Sequence, residues 1–291
     1  MRLVTFRGTD GPRPGAVVDG ERVLDLGGLA EHVEALLADP VALEAARRLA
    51  DGGAGARPLP EVELLAPVRP GRILCLGYNY RGHLPAGVTE RDPDPQYPDV
   101  FVKTPNVLRG PHDVVTLPPA SDDVDYEGEI ALVIGRRADA VSLDEAAAHI
   151  AGYTLFNDVS ARDWQSRSSQ WELGKCFDGF GPLGPWIVTA DAVADPHDLT
   201  VEVEREGVVT VSQSTADLVF PMAFLVHYLS QVMVLEPGDV IATGSPQKLP
   251  EALAAHRPLA DGDAVTIRVA GLGELTTRFA APAPRTEGVA R

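Results

Sequence analysis

Residues 125–135 read DYEGEIALVIG, a pair of spaced glutamates followed by an apolar run. The apolar run 130–134 predicts a buried strand. Side chains at positions i and i+2 of a strand share a face, so Glu127 and Glu129 should point the same way, about 6–7 Å apart at Cβ. Charges that close beside a buried strand either have raised pKa values or are neutralised by a cation, most simply a divalent metal ion. The plainer alternative is the solvated face of an edge strand.

A third acid, Asp158, follows a second predicted strand over residues 152–157. Ser160 predicts the N-cap of a short helix, because an aspartate stands three residues later in an S-x-x-[DE] arrangement. On that helix Arg162 and Gln165 are i and i+3 and share a face. Three carboxylates without a thiol or imidazole cluster suit a hard, oxygen-liganded ion: Mg²⁺, with Mn²⁺ or Ca²⁺ as alternatives. The plainer interpretations are a turn carboxylate for Asp158 and a surface ion pair for Arg162.

Four motifs in this order resemble the fumarylacetoacetate hydrolase family. They are DYEGEIALVIG, GYTLFNDVSARDWQ, W-x3-KCFDGFGPLGPWIVT and LSQVMVLEPGDVIATGSP. The resemblance implies an α+β, mostly β fold, with a mixed β-sandwich or β-roll catalytic domain over residues 66–285. A small N-terminal α/β domain is expected over residues 1–65, and residues 286–291 are expected to be a disordered tail.

The same resemblance implies roles for single residues by motif position. The expected metal ligands are Glu127, Glu129 and Asp158. The residues expected to bind substrate or act in catalysis are His83, Lys175, Gln165, Arg162, Tyr78, Lys103, Thr243 and Gly244. Among these, His83 in GYNYRGH matches the family's catalytic histidine, although a surface histidine at a turn is the plainer interpretation.

Two segments depart from the family pattern. In hydrolase members a glutamate follows the histidine by three residues and orients the imidazole, whereas this chain has Ala86 there. Glu90, in the same loop, is the candidate replacement. A histidine without a carboxylate partner lacks one source of tautomer control. Where members commonly continue Gly-Val-Gly after the Thr-Gly turn, this chain has Gln247-Lys248-Leu249-Pro250 and a longer insertion to Pro258. That wall of the pocket is therefore expected to differ.

Composition excludes several classes of protein. The 291 residues predict about two domains, and 45% hydrophobic with 23% charged residues is ordinary for a globular protein. No apolar run approaches the ~20 residues of a membrane span, no signal peptide is evident, and two cysteines fit a reducing compartment, so the expected location is cytoplasmic. A net charge of −17 disfavours binding to nucleic acid or anionic membranes. The expected partner is a small oxo acid, and the resemblance implies a homodimer.

Two enzymatic functions follow from these residues. The first is a metal-dependent hydrolase that cleaves a C–C bond in a 1,3-dicarbonyl acid of the acylpyruvate or fumarylacetoacetate kind, with His83 deprotonating water while Lys175 and Gln165 stabilise the oxyanion. The alternative is a decarboxylase, tautomerase or isomerase of a 2-oxo acid that works through a metal-bound enolate. A non-catalytic member is disfavoured, because the matched polar positions between 125 and 175 are intact.

Overall fold

The computed structural model describes residues 1–84, 88–89 and 92–282. Within these ranges the chain forms nineteen strands in three sheets. The strands are β1 (Arg2–Gly8), β2 (Gly11–Val18), β3 (Arg22–Asp25), β4 (Arg57–Pro58), β5 (Leu64–Leu65), β6 (Ile73–Gly77), β7 (Asp99–Lys103), β8 (Leu108–Arg109), β9 (Val114–Thr116), β10 (Val124–Asp125), β11 (Gly128–Ile134), β12 (Ile150–Asn157), β13 (Ser160–Ala161), β14 (Gly181–Thr189), β15 (Thr200–Arg205), β16 (Val208–Ser214), β17 (Val240–Ala242), β18 (Ala264–Val269) and β19 (Gly273–Ala280).

Short helices connect the strands, and the predicted mostly β fold is confirmed. The α-helices are α1 (Val33–Ala38), α2 (Pro40–Gly52), α3 (Leu143–Ala146), α4 (Arg162–Gln165), α5 (Glu172–Lys175), α6 (Met222–Ser230) and α7 (Pro250–Ala254). Among the described residues, no helix is both long enough and apolar enough to cross a bilayer.

The largest sheet carries the three acidic residues near its middle. Its strand order is β4-β3-β2-β1-β14-β12-β11-β17-β6-β7, with β5 beside β1 and β8 beside β14. Strand β11 lies between β12 and β17 and is antiparallel to both. Every residue of β11 is buried, which accounts for the continuous apolar run after the second glutamate.

A second sheet, in the order β16-β15-β18-β19-β9, covers one face of the first. Strand β15 contacts β11, and β19 contacts β12 and β14. A side chain at Gly128 would lie 2.5 Å from Cγ2 of Val203 and 2.9 Å from Cγ1 of Ile267, so the two sheets touch at the residue between the two glutamates. Because side chains alternate along a strand, Glu127 and Glu129 point away from this interface.

The N-terminal segment continues the large sheet. Strand β1 pairs with β14, and Arg2 lies opposite Val188. The second helix of this segment begins at Pro40, because Asp39 caps it by accepting hydrogen bonds from the backbone of Val41 and Ala42. The domain boundary near residue 65 stays a prediction, and the expected tail, 286–291, lies outside the described residues.

Close strand packing generates a stability prediction at Gly152, in β12. A methyl group there would lie 2.2 Å from the backbone carbonyl oxygen of Val188 in β14. We expect Gly152→Ala to lower the free energy of unfolding by about 1–3 kcal/mol or more, because backbone cannot yield as a flexible side chain does. Thermal melting should show a fall of about 2–4 °C per kcal/mol for a chain of this size.

Gly28→Ala is the matched control, because a methyl group there would have no atom within 4 Å. Its melting temperature should stay close to that of the wild type. An unchanged melting temperature for Gly152→Ala would contradict the packing of β12 on β14.

Candidate metal centre and active site

Three carboxylates meet where β11 begins and β12 ends. Side-chain oxygens of Glu127, Glu129 and Asp158 lie within 4.8 Å of one another. The strand register causes this, because Gly128 in β11 pairs with Asn157 in β12. The backbone N–H of Asp158 then donates to the carbonyl of Glu127 at 2.8 Å. The structure therefore places the three predicted metal ligands side by side.

Glu129 shows that this cluster fits a divalent cation. Its Oε2 accepts a hydrogen bond from the backbone N–H of Gly244 at 2.9 Å, whereas its Oε1 is buried without a partner among the described residues. Burial and the charges of Asp158 and Glu127 raise the pKa of Glu129 well above its ordinary value. A buried carboxylate oxygen without a partner is costly, and three hard oxygen donors are ligands that Mg²⁺, Mn²⁺ or Ca²⁺ accepts.

Two buried lysines compensate the other acids. Lys175 Nζ donates to Glu127 Oε2 at 2.8 Å and to Asp158 Oδ2 at 2.6 Å. Lys103 Nζ donates to Asp158 Oδ1 and to the carbonyl of Val159. Although burial opposes charge on both partners, the paired charges hold the pKa of Glu127 well below and that of Lys175 above their ordinary values. Glu127 and Lys175 therefore stay ionised.

Arg162 lies at the rim of the cluster. Its Nε and Nη2 donate to Asp125 Oδ2 at 3.2 and 3.0 Å. Its Nη1 donates to Glu127 Oε1 at 2.5 Å and to Gln165 Oε1 at 3.0 Å, so Arg162 and Gln165 touch as their spacing predicts. The guanidinium is thus engaged by the protein's own side chains.

The predicted helix N-cap at Ser160 is wrong. Ser160 belongs to β13, which pairs with β10, and its hydroxyl donates to the carbonyl of Asp158 at 2.9 Å. Helix α4 begins only at Arg162, with Ala161 in the cap position. Pairing with β10 outweighs the local capping signal.

His83 has a defined tautomer. Its Nδ1 lies 2.8 Å from the carbonyl oxygen of Ser245, and since a carbonyl only accepts, Nδ1 carries a proton, while Nε2 has no hydrogen-bond partner in the described part of the chain. The ring of Tyr78 meets the imidazole edge-on, with centroids 5.5 Å apart, and Tyr78 has a left-handed backbone (φ 51°). Ala86 and Glu90 lie outside the described residues, so the proposed replacement of the missing glutamate stays a prediction.

Thr243 and Gly244 face the acidic strand rather than an open pocket. The Thr243 hydroxyl donates to the carbonyl of Ile130 at 2.8 Å and is fully buried. Gly244 has a φ of 92°, which favours glycine, and its N–H is used by Glu129. In the structure these residues fix the end of β17 against Glu129, and their predicted contact with substrate stays a prediction.

The structure adds three candidate positions that the sequence analysis did not predict: Asn79, Asp125 and Lys248. The buried amide of Asn79 donates to the carbonyls of Thr243 and Phe220. These bonds join the histidine loop, residues 78–83, to the Thr-Gly turn, residues 243–244. Asp125 and Lys248 form an ion pair, Nζ to Oδ1, at 2.5 Å. Burial opposes ionisation of Asp125, but Arg162 and Lys248 hold its pKa below the ordinary value. In the sequence, Asp125 stands in an acidic stretch and Lys248 in the segment that departs from the family pattern, and neither feature predicts that the two residues pair.

The histidine, the rim of the acidic cluster and Lys248 line one cavity. Its volume is 110 Å³, and its walls include His83, Asp125, Glu127, Arg162 and Lys248. Such a volume suits a small acid rather than a drug-sized ligand, whose pockets measure about 300–1,000 Å³. The arrangement combines a candidate cation site, a positioned imidazole and several fixed positive charges, and such groups can stabilise an enolate.

A family model, Fumarylacetoacetate (FAA) hydrolase C-terminal, matches residues 72–280. The chain belongs to the fumarylacetoacetate hydrolase family. All the site residues named above lie within the matched range, and the family and fold expected from the motifs are confirmed.

Relatives in this family match almost the whole chain. An oxaloacetate tautomerase of Bos taurus, named as mitochondrial, is 39% identical over 292 residues, which cover 96% of this chain and 91% of that protein. A tautomerase of the same name from Homo sapiens is 38% identical with the same coverage.

Solved structures of the family share this fold. The 5-carboxymethyl-2-hydroxymuconate delta-isomerase from Mycobacterium smegmatis has a TM-score of 0.78 and 34% identity, over 97% of this chain and 100% of that chain. Maleylpyruvate hydrolase from Sphingobium sp. SYK-6, in complex with manganese(II) ion and pyruvate, has a TM-score of 0.81 and 30% identity with the same coverage.

The partnerless oxygen of Glu129 generates a prediction about metal binding. We expect Mn²⁺ to raise the melting temperature of the wild type, because an ion that binds only the folded state stabilises it. Glu129→Gln should abolish this rise, yet it should melt no lower than the wild type without metal, since a neutral amide replaces a carboxyl group whose ionisation is opposed by its burial and its acidic neighbours. Differential scanning fluorimetry with and without Mn²⁺ measures both effects.

Glu274→Gln is the control, because Glu274 is an exposed acid far along the chain, in β19. It should retain the full response to Mn²⁺. A full response from Glu129→Gln would exclude Glu129 as a ligand.

Proposed function

We propose that this protein is a divalent-metal-dependent tautomerase that interconverts the enol and keto forms of a small 2-oxo acid, oxaloacetate being the preferred candidate. The observation that carries the proposal is His83, whose Nδ1 is held by the Ser245 carbonyl and whose Nε2 has no partner among the described residues, beside the three-carboxylate cluster. The tautomerase names of relatives that cover 96% of the chain support it.

C–C bond hydrolysis, the first function expected from the sequence, is less well supported than its alternative. The relatives named above include two tautomerases and an isomerase. In this chain Ala86 occupies the position of the glutamate that assists water attack in hydrolase members. Tautomerisation needs no activated water, because a proton only moves between oxygen and carbon. Because a maleylpyruvate hydrolase is among the similar structures, the experiment below also tests for hydrolysis.

Glu127, Glu129 and Asp158 would hold the cation. Bound there, a divalent ion would act as a Lewis acid toward the keto-acid end of the substrate and favour the enolate charge. We propose Mg²⁺, with Mn²⁺ as the first alternative, since all three donors are hard oxygens. The ion in the maleylpyruvate hydrolase structure is manganese(II).

His83 would move the proton. Its Nε2 accepts the proton of the enol hydroxyl while Nδ1–H stays bonded to Ser245, and the resulting imidazolium returns a proton to C3 to give the keto form. Lys175 stays charged beside the cluster and favours the transient negative charge. Gln165 accepts from Arg162 through its carbonyl oxygen, which leaves its amide group as a donor without a partner among the described residues.

Three further expectations accompany the function as proposals. The protein acts as a homodimer, it resides in the cytoplasm and its partner is a small oxo acid rather than nucleic acid or membrane. The tautomerases of Bos taurus and Homo sapiens are named mitochondrial, so localisation by fractionation of the native cell is the check on the second.

The proposed activity predicts faster ketonisation of enol-oxaloacetate, followed as loss of the enol's ultraviolet absorbance. We expect acceleration with Mg²⁺ or Mn²⁺, none after chelation, and no cleavage products from a panel of acylpyruvates. Cleavage of an acylpyruvate without faster ketonisation would establish the hydrolase instead.

A second prediction concerns His83 itself. His83→Ala should lower kcat for ketonisation by about 10²–10⁴, which is the usual contribution of a positioned acid–base group. The melting temperature and the response to Mn²⁺ should be retained. His112→Ala, at an exposed histidine, is the control and should keep full activity. Unchanged kcat in His83→Ala would show that another group carries the proton.

A further inference from the structure

All the lysines of this chain lie at the site. The sequence has 25 basic residues, of which three are lysines, at positions 103, 175 and 248. Each of the three forms an ion pair with an acid of the site. Apart from histidines, the other basic side chains that form ion pairs in the described residues are arginines. Lysine offers a compact charge with three donors, which suits a single carboxylate oxygen better than arginine's planar fork does.

Most of the local positive charge is already committed to the protein's own acids. Arg162 uses four hydrogen bonds, from a group with five N–H donors, on Asp125, Glu127 and Gln165. The side chains of Lys103 and Lys175 are 0% and 2% exposed and donate to the carboxylate cluster. An incoming carboxylate would have to break these bonds.

Lys248 differs in its free donors and its access. Its ammonium makes one hydrogen bond among the described residues, to Asp125 Oδ1, so two of its three N–H donors are unused. The side chain is 13% exposed and lines the 110 Å³ cavity together with His83, Glu127 and Arg162. Burial lowers the pKa of Lys248 even though Asp125 acts in the opposite direction.

The surrounding chain fixes the position of this ammonium group. It lies 4.1 Å from the ring centroid of Tyr126, a cation–π distance. The Tyr126 hydroxyl donates to Thr210 Oγ1 at 2.9 Å, and the backbone N–H of Leu249 donates to the carbonyl of Thr210 at 2.8 Å. Because β16 thus anchors both the ring and the lysine's neighbour, Lys248 is held in place before any ligand binds.

We propose that Lys248 binds the second carboxylate of a dicarboxylic 2-oxo acid and thereby selects dicarboxylic over monocarboxylic substrates. The inference rests on the proposed function, because it takes the keto-acid end to lie at the three-carboxylate cluster. A chain of ion pairs, Lys248 to Asp125 to Arg162 to Glu127, connects Lys248 with the three-carboxylate cluster along the wall of the cavity. With a net charge of −17 the protein as a whole repels a dianion, so only a local cation can favour one.

Binding of two matched analogues tests this selection without relying on turnover. The probes are 3,3-difluoro-oxaloacetate and 3,3-difluoro-2-oxobutanoate, which have no hydrogen at C3 and differ in the distal carboxylate. Calorimetric titration of the Mn²⁺-loaded protein should show about ten- to hundredfold tighter binding of the dicarboxylate, the range for a hydrogen bond to a charged group. Lys248→Gln should abolish this preference, and Lys248→Arg should retain part of it.

Arg257→Gln is the matched control. Arg257 lies in the same departing segment, is 48% exposed and pairs with Glu206 and Asp263 rather than with Asp125. It should keep the wild-type preference. A wild-type preference in Lys248→Gln, or no preference in the wild type, would overturn the inference.

Amine acetylation read by mass spectrometry tests the unmodified chain independently of any variant's folding. Lys248 should be the lysine that acetylates first, and the dicarboxylate analogue should slow its modification at least tenfold more than the monocarboxylate does. Equal protection by both analogues would contradict the proposal. If Lys248 determines the preference but ketonisation of enol-oxaloacetate is not accelerated, the proposed function is rejected and this inference is kept. If ketonisation is accelerated but Lys248 has no effect on the preference, this inference is rejected and the proposed function is kept.

Discussion

Burial of negative charge at the junction of β11 and β12 is the constraint on which the site depends. The antiparallel register forces Glu127, Glu129 and Asp158 into one small volume inside the sheet. Ions that have left water must be paired and hydrogen-bonded, or the fold is destabilised. Lys103 and Lys175 pair with two of the acids, whereas one oxygen of Glu129 is buried without a partner among the described residues. The same three carboxylates therefore affect stability and form the metal site proposed above.

The positive groups around this centre form two classes with different uses. Lys103, Lys175 and Arg162 use most of their N–H donors on the protein's own groups, and they hold Glu127 and Asp158 in place. Lys248 sits further out, with unused donors and access to the cavity. In a strongly acidic protein, an anion is repelled by the net charge, and salt screens any attraction at longer range. The outer lysine therefore attracts an anion only within the small volume of the cavity.

Orientation of the imidazole shows how the fold can replace a missing side chain. The sequence lacks the glutamate that hydrolase members place after the histidine, which suggested a loss of tautomer control. A backbone carbonyl at Ser245 performs that task, and it is in place because Asn79 ties the histidine loop to the Thr-Gly turn. A carbonyl fixes the tautomer without placing a second negative charge beside the imidazole.

The sequence by itself determined the mostly β fold, the family and the three acids, because the E-x-E spacing, the apolar run and the ordered motifs are local patterns. It failed at Ser160, where a capping signal of four residues was outweighed by pairing with β10. Only the tertiary structure decided the pairs Asn79 with Thr243, His83 with Ser245 and Lys248 with Asp125. Their partners are separated by more than a hundred residues, and hydrogen bonds across such distances depend on strand register, which no local pattern encodes.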